Sequence, residues 1–152
     1  MGSIVTQVEV ERTADDVFAY VTDPDHFPDW QANVTGGHLE GGEPVVGARC
    51  LTRRKIGGRE RDVESRLTVF DPPRSWAVRG VDGPIRATVN VTVEPLPGGE
   101  ASKVTIDLDF EGHGIGKLLV PLLVKPQSRK EMQHNMTRLK QQLETYRPRT
   151  GQ

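Results

Sequence analysis

Apolar residues recur at helical spacing over the last part of the chain. Between His113 and Arg147 they fall at Ile115, Leu118, Leu119 and Leu122, then at Met132, Met136, Leu139, Leu143 and Tyr146. Leu118, Met132, Leu139 and Tyr146 share one phase, and Leu122, Met136 and Leu143 share another, with a polar gap at Lys125 and Arg129. An unbroken helix of this length would reach roughly 50 Å at a rise of about 1.5 Å per residue, more than a small domain needs to close a core. Pro121 and Pro126 each remove a backbone donor, which predicts a kink or a short helix followed by a long one. Ser128 and Glu131 have capping-box spacing at the start of the second piece. Such a helix covers a core, and over a curved sheet it would also lid a cavity.

The preceding residues predict that sheet. Ile4, Thr6, Val8 and Val10 alternate with Val5, Gln7, Glu9 and Glu11, the pattern of a half-buried strand. Thr13 and Asp16 signal a helix start, and Ala14, Val17, Phe18 and Val21 give that helix one apolar face. Asp23-Pro24 ends it. The stretch PDHFPDWQ predicts a further helical turn or two that packs Phe27 and Trp30 inward. From there to Glu111, glycine pairs at 36–37, 41–42, 57–58 and 98–99, together with Pro72-Pro73 and Asp82-Gly83, mark turns between antiparallel strands. The order is one strand, two helices, six strands and a long helix.

Charge alone registers one hairpin. With Gly57-Gly58 as a two-residue turn, Arg53 faces Asp62 and Lys55 faces Glu60 on a solvent face. The opposite face then carries Ala48, Cys50, Thr52, Val63, Ser65, Leu67 and Val69, several of them too small to fill the volume beneath a helix. Toward its tip the same face sets Arg54 opposite Arg61. Like charges so placed cost stability unless they splay into water or an anion lies between them, so the pair reads either as an exposed tip or as a clamp for a carboxylate or phosphate. The next strands continue in phase. Trp76, Val78, Ile85, Ala87, Val89, Val91 and Val93 point inward, as do Val104, Ile106, Leu108 and Phe110, leaving Asp107, Asp109 and Glu111 on the wet face.

Composition narrows the function classes. The 152 residues fit one domain, with 35% hydrophobic and 27% charged residues and a net charge of −1, which gives no overall drive toward nucleic acid. The charge is uneven: from His113 onward eight Lys and Arg stand against two Asp and Glu, a net of +6 against −7 for the rest. A basic amphipathic helix of this kind suits either a solvated face or weak contact with an anionic membrane surface. Cys50 is the single cysteine, which excludes an intrachain disulfide and suits a reducing cytoplasm. No apolar run reaches membrane-spanning length, and MGSIVTQVEVER lacks a signal-peptide core.

Candidate chemistry is sparse. His26, His38, His113 and His134 show no zinc-ligand spacing to one another or to Cys50, and no cofactor or metal is expected. His26, between Asp25 and Asp29, is the best general-base candidate because its loop should border a cavity entrance. Ser65 and Cys50 lack an evident partner base. The glycines at 112, 114 and 116 follow no crossover unit, and the basic hairpin 53–66 lacks interleaved aromatics, so neither dinucleotide nor nucleic-acid binding is expected.

Four stretches in order carry a family resemblance: VERTADDVFAYVTDPDHFPDW, VVGARCLTRRKIGGRERDVESRLTVFDPPRSWAVRG, VTVEPLPGGEASKVTIDLDF and LLVPLLVKPQSRKEMQHNMTRLKQQLE. In these the chain resembles the START-like, helix-grip (SRPBCC) superfamily, and within it bacterial polyketide cyclase/dehydrase-like and coenzyme-Q-binding-like proteins. The resemblance implies an α+β fold: a seven-stranded curved antiparallel sheet wrapped on a long C-terminal helix, with two short helices after strand 1. It implies a single ligand-binding domain over residues 1–147, a tail at 148–152, and a cavity for a hydrophobic small molecule such as a lipid, polyketide or aromatic compound. The expected ligand-contacting residues are Trp30, Cys50, Thr52, Arg54, Arg61, Ser65, Trp76, Leu108, Leu122, Met132 and Met136. Three functions stay open. They are a cytoplasmic carrier or sensor, monomeric or homodimeric; a polyketide cyclase or dehydratase; and a partner-binding or membrane-docking module without ligand. Aromatase/cyclase relatives place acid–base residues in the pocket, whereas the inward positions here show no carboxylate pair.

Overall fold

The structure is a computed structural model that describes residues 3–56, 58–81, 83, 85–119 and 125–145. Strand β1 (Ile4–Val10) leads through a cap at Thr13, whose hydroxyl accepts from the Asp16 amide, into α1 (Ala14–Val21). A 3₁₀ turn (Pro24–His26) runs on into the short α2 (Phe27–Trp30). Six strands follow: β2 (Val34–Leu39), β3 (Arg49–Ile56), β4 (Arg59–Asp71), β5 (Ser75–Gly80), β6 (Ile85–Pro95) and β7 (Ser102–Gly112). The helices α3 (Gly116–Leu119) and α4 (Lys125–Thr145) complete the described chain. All pairings are antiparallel, in the order β1-β7-β6-β5-β4-β3-β2. This is the curled half-barrel with a C-terminal helix that the sequence predicts.

The β3–β4 register is the one that charge assigned. Arg53 faces Asp62, Arg54 faces Arg61 and Cys50 faces Ser65. Arg53 Nε lies 3.6 Å from Asp62 Oδ1, whereas Glu60 accepts from Thr35 Oγ1 at 2.8 Å. Strict alternation fails further along β4. A bulge between Leu67 and Val69 absorbs one residue, so Phe70 pairs with Trp76 and packs against the core while Val69 is 39% exposed. Val69 is therefore not an inward residue.

In α4, Met132, Met136, Leu139 and Leu143 are buried and join Val10, Val17, Trp30 and Val104 in one core. Arg129 is exposed, as the polar gap in the stripe predicts. The capping box is not used, because α4 already begins at Lys125 and Ser128 lies inside it. Pro126 is the second described residue of α4, and residues 120–124 before it lie outside the described residues, as does the expected kink or break there. Pro121, Leu122 and Tyr146 lie outside the described residues, as does the tail 148–152.

Two local contacts hold the helices to the sheet. A Cβ on Gly37 would sit 2.7 Å from the Pro24 carbonyl oxygen and 3.3 Å from Pro24 Cβ, so only glycine lets β2 lie this close to the 3₁₀ turn. Gly37→Ala is expected to cost about 1–3 kcal/mol, the usual range for overpacking, read from the urea midpoint. At the other end, Glu144 Oε2 accepts from the Glu11 amide at 3.1 Å and from Lys140 Nζ at 2.9 Å, while Lys140 Nζ also donates to the Glu9 carbonyl at 2.7 Å. The Lys140 hydrogen bond, and then that from the Glu11 amide, hold the Glu144 carboxyl below its ordinary value of 4.5. A depressed folded-state pKa adds stability that is complete above the unfolded value and is lost as the pH falls through the folded one. Glu144→Gln should flatten that acid arm of the stability–pH curve and leave its slope near neutrality unchanged, as followed by denaturation at a series of pH values.

Candidate functional site

Strand β3 puts Cys50, Thr52 and Arg54 on the concave face by simple alternation. Cys50 is 1% exposed and Thr52 is 6% exposed. Arg54 is half-buried, and its side chain folds back along the strand. Nε donates to Thr52 Oγ1 at 3.1 Å, and Nη1 reaches Gln31 Oε1 at 3.5 Å, the outer limit of a hydrogen bond. Gln31 follows α2, and the Glu131 carboxylate of α4 acts on the same guanidinium through space. Arg54 thus sits where β3, the end of α2 and the first half of α4 meet. Burial pulls its pKa below the usual arginine value, outweighing the opposite pull of Cys50 and Glu131. The surroundings therefore compensate this cation only in part. Burial likewise pushes the Cys50 thiol up, against a hydrogen bond from Ser65 and the charge of Arg54.

The other expected residues divide by position. Trp30 is 5% exposed, with its ring edge-on to Phe27, and its buried indole Nε1 has no acceptor among the described residues. Ser65 is half-buried opposite Cys50, 3.5 Å from the Cys50 carbonyl oxygen. Trp76 is buried edge-on to Phe27, Leu108 packs half-buried against the core, and Met132 and Met136 are buried on α4. Arg61 is exposed whereas Arg54 is half-buried, although their backbones are paired. Leu122 lies outside the described residues. Sequence reasoning missed Gln31 and Glu131. Glu131 precedes Met132 directly and so borders the buried stripe, a signal masked by its capping-box spacing.

A second feature lies toward the other end of β3. A half-enclosed cleft of about 470 Å³ runs between α1 with the 3₁₀ turn, the β2–β3 loop and the β4–β5 hairpin. Cys50, Leu67, Phe70, Trp76 and Val78 of the concave face form its floor, Phe18 and Thr22 line one wall, and Asp15, Asp23 and Asp25 are among its lining residues.

His26 is not among those lining residues. Its Nδ1 lies 3.0 Å from Asp29 Oδ2, which also accepts from Tyr20 Oη at 3.0 Å, and its ring stacks on Tyr20. That network joins α1 to α2. Among the described residues no group of three or more His, Cys, Asp or Glu could hold a metal ion, and no helix is long and apolar enough to cross a membrane.

The fold matches solved structures at low identity. A START superfamily protein from Mycobacterium smegmatis superposes with a TM-score of 0.68 at 17% identity, covering 95% of each chain. An aromatase/cyclase from Streptomyces sp. R1128 gives 0.68 at 15% identity, with 93% of each chain covered. A protein from Thermus thermophilus gives 0.72 at 14% identity, covering 93% of this chain and 96% of that one. Among curated proteins nothing matches. A family model described as polyketide cyclase / dehydrase and lipid transport matches residues 1–144. The chain, in sequence as in its curled sheet and closing helix, belongs to that family.

Proposed function

We propose that this protein binds a hydrophobic small molecule carrying an anionic group, between the concave face of the sheet and α4, as a carrier or sensor. One observation carries the reading: a half-buried cation on the concave face with few acceptors around it. Among the described residues, the Arg54 guanidinium has only Thr52 and, at long range, Gln31 as hydrogen-bond acceptors, and the Trp30 indole N–H has none. An unmade hydrogen bond of a buried donor such as the Trp30 N–H costs free energy, and a half-buried guanidinium gains a charge-assisted bond from a ligand carboxylate. The small side chains of Cys50, Thr52 and Ser65 favour an apolar body beside that group. Native mass spectrometry of protein purified from its own host should show a bound acidic amphiphile, and dodecanoate should raise the melting temperature more than dodecanol does. Ligand-free protein that responds equally to both, or to neither, would overturn the proposal.

A cyclase or dehydratase role is the second reading, favoured by the same guanidinium, which would stabilise the enolate oxygen of a poly-β-keto chain. Turnover of such a chain, lost in Arg54→Met, is the result that would select it.

A further inference from the structure

We infer that the cleft beneath α1 is a second binding site, and that it takes a small aromatic or branched apolar molecule bearing a protonated amine. Its volume of about 470 Å³ is that of a small-ligand pocket, and its floor of Leu67, Phe70 and Trp76 is apolar. Its charged lining residues have one sign. Asp15, from the first turn of α1, and Asp25, from the 3₁₀ turn, are exposed. Asp23 lies between them in sequence, with one oxygen accepting from the Asp25 amide at 3.0 Å and the other 3.9 Å from His26 Nε2. His38 and Cys50 are the other titratable lining residues, and no described lysine or arginine lines the cleft. Carboxylates grouped over a low-dielectric floor focus a negative potential into the opening, which attracts a cation and repels a carboxylate.

The site is separate in chemistry from the one proposed around Arg54. It asks for the opposite charge and no described α4 residue lines it, while Cys50 and Trp76, both expected ligand contacts, also lie on its floor. The sequence hides it because the lining comes from the second face of α1, carrying Asp15, Ala19 and Thr22, which reads as the solvent side of an amphipathic helix.

The test is a titration of the full chain with 2-phenylethylamine and with 3-phenylpropionate, which share a ring and differ in charge, followed by two-dimensional amide NMR. The amine should shift the Ala19, Thr22, Leu39 and Trp76 amides at a concentration about tenfold below the carboxylate, the ratio that about 1.4 kcal/mol of charge preference would give. Asp15→Asn with Asp25→Asn should weaken the amine about fivefold, in line with solvent-exposed ion pairs. Ala19→Leu, at an exposed helix position, should fill the cleft and abolish the shifts. Arg54→Met should leave amine binding unchanged. Equal binding of amine and carboxylate, shifts confined to α4 and the Arg54 end of β3, or no shift at millimolar amine would each overturn the inference, whatever becomes of the Arg54 site.

Discussion

Leu139→Ala is expected to destabilise the protein by about 3–5 kcal/mol, a large share of the roughly 5–15 kcal/mol that holds a domain together. Leu139 is fully excluded from solvent on the buried stripe of α4. It belongs to the same core as Val10 of β1, Val17 of α1 and Val104 of β7, all three of them also at 0% exposure. Truncation removes apolar area that had left water and opens a cavity where helix and sheet meet, and close-packed neighbours on rigid elements relax only in part. Urea unfolding should show a lower midpoint with an unchanged slope. Leu139→Met, which conserves volume, should cost less than about 1.5 kcal/mol. A Leu139→Ala loss below about 1 kcal/mol would mean that α4 is not seated on this core.

Arg54→Met should have two effects of opposite sense. Binding of an anionic amphiphile such as dodecanoate should weaken by about 10- to 100-fold, because one or two charge-assisted hydrogen bonds of about 1.5–3 kcal/mol in total are lost. The melting temperature of the ligand-free protein should hold or rise. A guanidinium held partly out of water with partial compensation is a cost to the fold, and an apolar side chain of similar length removes it. Isothermal titration and thermal denaturation of the same preparation measure both effects. Arg61→Met, at an exposed position, should change neither, which separates the two arginines that the hairpin register places opposite each other. A ligand that binds equally well to Arg54→Met would end the anion reading while leaving a purely apolar one.

The fold was legible because its signals are local and agree with one another. Alternation fixed which face of β1, β6 and β7 is buried, and the charge pattern across 53–62 fixed a register. What escaped was set by geometry that no single stretch encodes. A bulge turned Val69 outward and Phe70 inward, although the spacing of Leu67 and Val69 suggested unbroken alternation. The concave face of β3 was legible, where Cys50, Thr52 and Arg54 follow from one register. The candidate site was not legible where other elements reach across: Gln31 and Glu131 approach Arg54 from α2 and α4, and the cleft draws its lining from four places in the sequence.

The bulge in β4 has a consequence for how this fold can diversify. Removing Thr68 would keep Leu67 opposite Val78 and Phe70 opposite Trp76, since the bulge holds one surplus residue between those pairs. The strand would straighten and lose local twist. The inward residues on either side would keep their register while the bend of the sheet changed. Loss of one residue at this point would therefore change the curvature of the concave face without changing which side chains line it.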